Sequence, residues 1–319
     1  MQKARGLLIA LVLCATIVSH THPAFSEGPA LIAVVFSRDI GPYRSALDGF
    51  ESELKKQKRP YRLVDFNVES YSHNPDSLIA RIRSKRPALV LTLGSSATEF
   101  VSNQMSDVPI VFSMVLPTPG PEGPDRPWVA RTNITGATME IPLSIQFRKI
   151  REVLPEARRV GVLFDPTVSG ALVEEAIAAA RLAGLVLVPI EVRSESDIVS
   201  RMEEVEGKVD VLWSIADSTV FSPQGLRHIL LSTLRNRIPF VGLSPAFVKA
   251  GALLALSCDY EDIGRQSGEM AVRILDGEAP SHIPSAAPRD VSYSVNMNTA
   301  RQLRVAITDE IRHAAASVF

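Results

Sequence analysis

Strand-like and helix-like patterns alternate along most of this 319-residue sequence. Continuous apolar runs such as residues 31–36 are typical of parallel strands covered on both faces. The strand signals of the first half lie at residues 31–36, 61–66, 88–93 and 109–112, and helix signals separate them at 47–54, 77–83 and 97–104. This order predicts an α/β fold with a doubly wound parallel sheet.

A proline-rich stretch interrupts the alternation between Leu116 and Pro127. Proline fixes its own backbone and lacks an N–H donor, so repeated prolines exclude a helix or a central strand. The stretch therefore predicts a stiff loop between two units.

The alternation then restarts. Strand signals lie at residues 159–164, 185–192, 209–213, 238–241 and 253–256, and helix signals lie at 143–153, 172–183, 224–236 and 263–274. Gly184 is a candidate left-handed helix cap, and Ser194 with Asp197 resembles a capping box. Two similar α/β units in tandem are predicted.

The first 26 residues have the pattern of a secretory signal peptide. Lys3 and Arg5 precede a short apolar run, and small residues at Ala24 and Ser26 predict cleavage after Ser26. A lipoprotein signal at Cys14 is the alternative, although bulky Leu13 precedes it. Export leaves Cys258 as the single cysteine, which we interpret as a small buried hydrophobic residue.

The net charge and the absence of several motifs exclude some classes of function. The formal net charge is -1, without the clustered basic footprint of a nucleic-acid-binding protein. The sequence has no G-x-S-x-G, no H-E-x-x-H, no phosphate-binding glycine loop and no cysteine pair at metal spacing. We therefore predict no catalysis, no metal and no cofactor.

Polar residues follow several predicted strands. The carboxyl ends of parallel strands share one edge of a sheet, where ligands bind. The candidate ligand-binding residues are Ser37, Tyr43, Ser95, Ser96, Ser113, Asp165, Ser169, Asp217, Ser218, Thr219, Ser244 and Asp259. Ser95 and Ser96 would form an anion-facing edge, with Asp217 and Thr219 opposite. Each polar residue before a helix has the alternative role of an N-cap.

Several motifs resemble those of one family. Asn133-Ile134-Thr135-Gly136, Arg159 to Pro166, Val248 to Leu253 and Asp259 to Gln266 resemble the ABC transporter substrate-binding proteins with a type I periplasmic-binding fold. The subgroup associated with aromatic amino acids is the most similar. Three motifs depart from that pattern. Leu116-Pro117-Thr118 replaces Thr-Asp-Pro, the loop from Asp165 to Gly170 replaces a longer Asn-Pro loop that ends in Asn-Ser, and Asp217-Ser218-Thr219 replaces Asp-Asn-Thr.

The resemblance implies two lobes joined by a three-segment hinge, with the ligand between them. The first lobe would comprise residues 30–140 and about 258–288, and the second 141–257 and about 289–319. It also implies a monomer that serves an inner-membrane ABC permease and ATPase.

The expected function is capture of a small polar molecule, an amino acid being one candidate, by a periplasmic or otherwise exported solute-binding protein. Two alternatives stay open at the level of sequence: a ligand-sensing subunit for a membrane signalling partner, and an exported α/β enzyme.

Overall fold

The computed structural model describes residues 28–57, 60–71, 74–116 and 131–319. The predicted signal peptide and most of the proline-rich loop lie outside these residues. Within them, two separate β-sheets are flanked by helices. The predicted α/β fold class is therefore confirmed.

The first sheet has five parallel strands in the order β2-β1-β3-β4-β5. They are β1 (Ala30–Phe36), β2 (Tyr61–Asn67), β3 (Leu89–Leu93), β4 (Ile110–Val115) and β5 (Ile134–Thr138). The helices after the first three strands are α1 (Gly41–Lys56), α2 (Pro75–Ser84) and α3 (Ser95–Gln104).

The second sheet has seven strands in the order β12-β11-β10-β9-β8-β6-β7, with one antiparallel pair, β10 and β11. They are β6 (Arg159–Phe164), β7 (Val186–Glu191), β8 (Val211–Trp213), β9 (Phe240–Gly242), β10 (Leu254–Cys258), β11 (Val291–Val295) and β12 (Ser317–Val318). The remaining helices are α4 (Leu143–Val153), α5 (Pro166–Leu182), α6 (Ile198–Val205), α7 (Pro223–Arg235), α8 (Pro245–Ala250), α9 (Tyr260–Leu275), α10 (Met297–Leu303) and α11 (Asp309–Ala314).

Helix α9 follows β10 of the second sheet but packs on the first sheet beside α1. Two glycines allow this close approach. A Cβ on Gly264 would overlap the backbone oxygen of Ala46, and one on Gly49 would overlap that of Glu261. The apolar stripe of α1, including Phe50 and Leu54, is buried in the same cluster as Ile263 and Ala271 of α9.

Three crossovers connect the two sheets, at residues 139–142, 258–259 and 283–290. The third is attached to the first sheet, because the Ala286 N–H donates to Gly136 O at 3.0 Å and the Thr138 N–H donates to Ala286 O at 2.9 Å. The Arg289 guanidinium adds an ion pair to Asp262 of α9 at 2.9 Å. The third crossover is thereby held to the first sheet along most of its length.

Local predictions can be checked at two helix ends. Gly184 has φ +73°, the left-handed value predicted for a cap, and the capping box of Ser194 and Asp197 is present. No helix among the described residues is long and apolar enough to cross a membrane.

Candidate functional site

A cavity of about 260 Å³ lies where the first two crossovers meet the second sheet. Its lining comes from the crossovers, from the ends of β8 and β9, and from the first turns of α4 and α9. The lining residues are Leu116, Met139, Glu140, Ile141, Leu143, Gln146, Leu172, Trp213, Ser214, Ile215, Ala216, Leu243, Ser244, Pro245, Leu256, Ser257, Cys258 and Tyr260.

Strand direction explains this location. Ile215 comes just after β8 and Leu243 just after β9, and both strands run parallel to β6. Their carboxyl ends therefore open at the same edge of the sheet, where ligands of α/β proteins bind. The cavity lies at that edge.

The inner wall is built around Trp213, which is 2% exposed. Its ring packs against Phe147 at a centroid distance of 5.0 Å. Its indole N–H donates to Gln146 Oε1 at 2.9 Å, and Gln146 Nε2 donates to Ile141 O at 2.8 Å. Gln146 thus links the first crossover to the end of β8.

The lining is mainly apolar. Glu140 supplies the one carboxylate, and no lysine, arginine or histidine is among the described lining residues. Burial raises the pKa of Tyr260, and burial raises the pKa of the Cys258 thiol to about 11. Both groups are therefore uncharged at neutral pH. Such a wall suits a small molecule with an apolar body and few polar groups.

Ser244 is the one predicted site residue that lines this cavity. It precedes α8, and its side chain makes no capping hydrogen bond. Ser95 lies at the rim, because its hydroxyl bridges to the N–H and the carbonyl of Leu116 at 3.2 and 3.0 Å.

The other first-sheet predictions lie apart from the cavity wall. Ser37 Oγ accepts the Ala97 N–H at 2.9 Å and so caps the start of α3. Tyr43 is half-buried and Ser96 is exposed. Ser113 is fully buried, and its hydroxyl has no hydrogen-bond partner among the described residues.

Four second-sheet predictions form one hydrogen-bonded network. Asp217 Oδ2 accepts the Asp165 N–H at 2.8 Å and the Ser169 hydroxyl at 2.5 Å. The Thr219 hydroxyl donates to Asp165 Oδ2 at 2.9 Å. Hydrogen bonds from Thr167 and then from Thr219 lower the pKa of Asp165. The network ties the ends of β6 and β8 together.

The last two predicted residues differ in their contacts. Ser218 is exposed, and Asp259 caps α9 by accepting the N–H groups of Glu261 and Asp262 at 2.9 and 3.1 Å. A ligand contact by the eleven residues outside the cavity wall stays a prediction.

The sequence analysis did not select most of the cavity wall. Trp213 ends a strand and Tyr260 begins a helix, and these two positions could have been used to predict that the residues lie in the site. Glu140 and Gln146 flank the start of α4, where no strand end points to a ligand. Among the described residues, no group of three His, Cys, Asp or Glu side chains could hold a metal ion.

Comparisons with known proteins agree on a family. The family described as ABC transporter substrate binding protein matches residues 40–319. A tyrosine-binding protein of Clostridioides difficile (strain R20291) is 21% identical over 249 residues, which are 75% of this chain and 70% of that protein.

Solved structures show the same fold. A ligand-free, open substrate-binding protein with adhesive properties from Clostridium difficile has a TM-score of 0.74 at 20% identity, covering 91% of this chain and 99% of that one. An ABC domain in complex with L-Trp from Streptococcus pneumonia has a TM-score of 0.65 at 22% identity, covering 92% and 100%.

Proposed function

This chain belongs to the family of ABC transporter substrate-binding proteins, and we propose that it captures a small molecule outside the cytoplasm for an ABC importer. The membrane permease and the ATPase of that importer are its proposed partners. The family is one of binding proteins, so the enzyme alternative is set aside.

The cavity at the crossovers carries this proposal. A molecule held there contacts the second lobe together with the first two crossovers. Its binding is thereby coupled to the angle between the lobes, as hinge closure around a ligand requires.

We propose an amino acid with an aromatic or large apolar side chain as the ligand. The apolar wall around Trp213 supports this choice, and so do the tyrosine-binding relative and the L-Trp complex. Ser244, the rim residue Ser95 and the exposed Ser96 next to it are proposed to meet the polar end of the ligand, because hydroxyls and helix N-terminal N–H groups suit a carboxylate.

Thermal unfolding with a ligand panel tests the proposal. The panel contains the twenty amino acids, ribose and myo-inositol. A ligand at 100 times its Kd stabilises the native state by about 2.7 kcal/mol. Stabilisation by a sugar and by no amino acid would reject the ligand class, and stabilisation by nothing in the panel would reject amino acid capture.

Tryptophan fluorescence localises the binding. The chain has two tryptophans, so Trp128→Phe leaves Trp213 as the single reporter. We expect the bound amino acid to change its emission. Unchanged Trp213 emission at a ligand concentration that stabilises the protein against thermal unfolding would move the site away from this cavity.

Export is tested by N-terminal sequencing of the secreted protein. Cleavage after Ser26 should give a chain that begins at Glu27. A lipid-modified Cys14 would replace this proposal with a membrane-tethered form.

A further inference from the structure

Both ends of the Gln146 side-chain amide are fixed by hydrogen bonds inside the candidate cavity. Its oxygen accepts the Trp213 indole N–H at 2.9 Å, and its nitrogen donates to the Ile141 carbonyl at 2.8 Å. An indole N–H can only donate and a carbonyl can only accept. A flipped amide would lose both bonds, so the orientation is determined.

One N–H group of the Gln146 amide has no hydrogen-bond partner among the described residues. A primary amide carries two N–H donors, and Gln146 uses one of them. Across the described part of the chain, its amide makes no third hydrogen bond. Gln146 is half-buried and lines the cavity, whereas the indole that holds its oxygen is 2% exposed. The capacity that the amide nitrogen has left for a ligand is a donor.

The surroundings make that donor selective. Leu143, Ile141 and Trp213 lie beside Gln146 in a wall without a cationic side chain among its described residues. A polar ligand atom that finds no partner in such a wall is penalised, and a site built around a hydrogen bond rejects an analogue that lacks the matching group.

We infer that Gln146 is a specificity-determining residue, which selects ligands whose buried end carries a hydrogen-bond acceptor such as a phenol or carbonyl oxygen. The inference rests on the proposed function of this cavity. A ligand that ends in a bare ring or in an amine leaves the fixed N–H unpaired or faces it with a second donor.

The test compares ligands that differ by one group: L-tyrosine, L-phenylalanine and 4-amino-L-phenylalanine, each by calorimetric titration. The unmodified protein should prefer tyrosine over phenylalanine by about 2- to 10-fold, the value of one neutral hydrogen bond. It should bind the amino analogue more weakly than tyrosine.

Gln146→Glu is the informative variant. A glutamate keeps an acceptor for the Trp213 N–H but has no donor. We expect the affinity for the amino analogue to rise relative to that for phenylalanine, because its N–H groups can donate to the carboxylate. Tyrosine should keep its preference over phenylalanine in this variant, because its hydroxyl can also donate. Gln104→Glu makes the same change on the exposed end of α3, and it should leave all three affinities unchanged. Thermal unfolding of each variant checks that the fold is retained.

A merely structural role for Gln146 would lower the three affinities together and keep their ratios. That result, or equal affinities for tyrosine and phenylalanine in the unmodified protein, would overturn the inference while leaving amino acid capture in place. Failure of the whole amino acid panel would overturn the proposed function, and this inference with it. If Gln146→Glu unfolds, Gln146→Met replaces it, with loss of the tyrosine preference expected and retention of that preference contradicting the inference.

Discussion

At the scale of single residues, Asp217 is a predicted ligand contact whose carboxylate also stabilises the fold. Its carboxylate accepts hydrogen bonds from the N–H groups of Thr219 and Val220 at one oxygen, and from Asp165 and Ser169 at the other. Each oxygen therefore faces two donors. An amide nitrogen at either position would meet donors and not acceptors.

We expect Asp217→Asn to lower the free energy of unfolding by about 1–3 kcal/mol, because the buried donors lose their acceptor. Urea unfolding measures this change. Ser218→Ala at the neighbouring exposed position should have little effect. A fall in ligand affinity at unchanged stability would instead give Asp217 the binding role that the sequence predicts.

Cys258 provides a pH-dependent probe of the cavity. Burial raises the pKa of its thiol from 9.0 to about 11, which reduces the reactive thiolate at pH 8 about 100-fold. In a chain that starts at Glu27, alkylation should be slow at neutral pH and should rise about tenfold per pH unit toward 11. Kinetics with a thiol reagent between pH 7 and 10 test this, and bound ligand should slow the reaction. Equal rates in buffer and in urea would contradict the burial.

At the scale of helices and strands, the sequence predicted elements with a strong local signal. Apolar runs such as residues 31–36 and 159–164 became strands at nearly the predicted bounds. Strand β5 was missed because Ile134–Thr138 contains two threonines and a glycine. Its burial depends on a distant segment, since Thr135 Oγ1 donates to Ile283 O at 2.7 Å. Strand β11 (Val291–Val295) was also missed, because polar residues alternate with apolar ones along it. Its place in the sheet likewise depends on a segment distant in sequence, its antiparallel partner β10.

The close packing of α1 against α9 predicts that only glycine is tolerated at position 264. Gly264→Ala would drive a methyl group into the backbone of Ala46, and overpacking of this kind costs about 1–3 kcal/mol or more. Gly170→Ala is the matched control in α5, where nothing lies within 4 Å. Thermal unfolding should show a large loss for Gly264→Ala and no loss for Gly170→Ala. Equal stability of the two variants would contradict the close packing.

The ion pair between α9 and the third crossover predicts a pH-dependent stability. Burial alone would raise the pKa of Asp262, but hydrogen bonds from Arg289 and Arg265 lower it below its ordinary value. A carboxyl whose pKa is lower in the folded state contributes stability above its unfolded pKa of about 3.9 and loses that contribution as the pH falls through the folded pKa.

Arg289→Gln should therefore destabilise the protein by about 1–3 kcal/mol at pH 7, and by less at pH 3, below the unfolded pKa of the carboxyl group. Urea unfolding at both pH values measures the difference. Arg273→Gln, which breaks the exposed pair between Arg273 of α9 and Glu278 just beyond the end of that helix, should have little effect. A loss for Arg289→Gln of the same size at both pH values would mean that the charge of Asp262 is not involved.

At the scale of the whole molecule, the site was harder to predict than the fold. The rule that ligands bind at the carboxyl ends of parallel strands selected Ser244 and the rim residue Ser95. It did not select Glu140 or Gln146, because these residues come from the first crossover and the turn after it. Their approach to Trp213 depends on how the two sheets are joined, which residue spacing does not encode.

Closure of the lobes is the expected response to ligand. The cavity is lined by the first two crossovers and the second lobe, with Leu116 as the contribution from the end of β4. A closing motion would bring more of the first lobe, including Ser96, toward the ligand. Small-angle scattering should show a smaller radius of gyration at saturating ligand. An unchanged profile at saturation would contradict closure on binding.

The position of α9 also has a consequence for biosynthesis. The ribosome makes the chain from its N-terminus, so α1 is complete long before α9 (Tyr260–Leu275). The apolar stripe of α1 stays exposed to solvent until α9 has been made. The second sheet likewise lacks β11 and β12 until Val291–Val295 and Ser317–Val318 have been made. Contacts this distant in sequence make folding slow and expose unfinished intermediates to aggregation. A nascent chain that stops before residue 260 would thus contain no complete lobe. We expect such a truncated chain to be degraded by proteases and not to bind ligand.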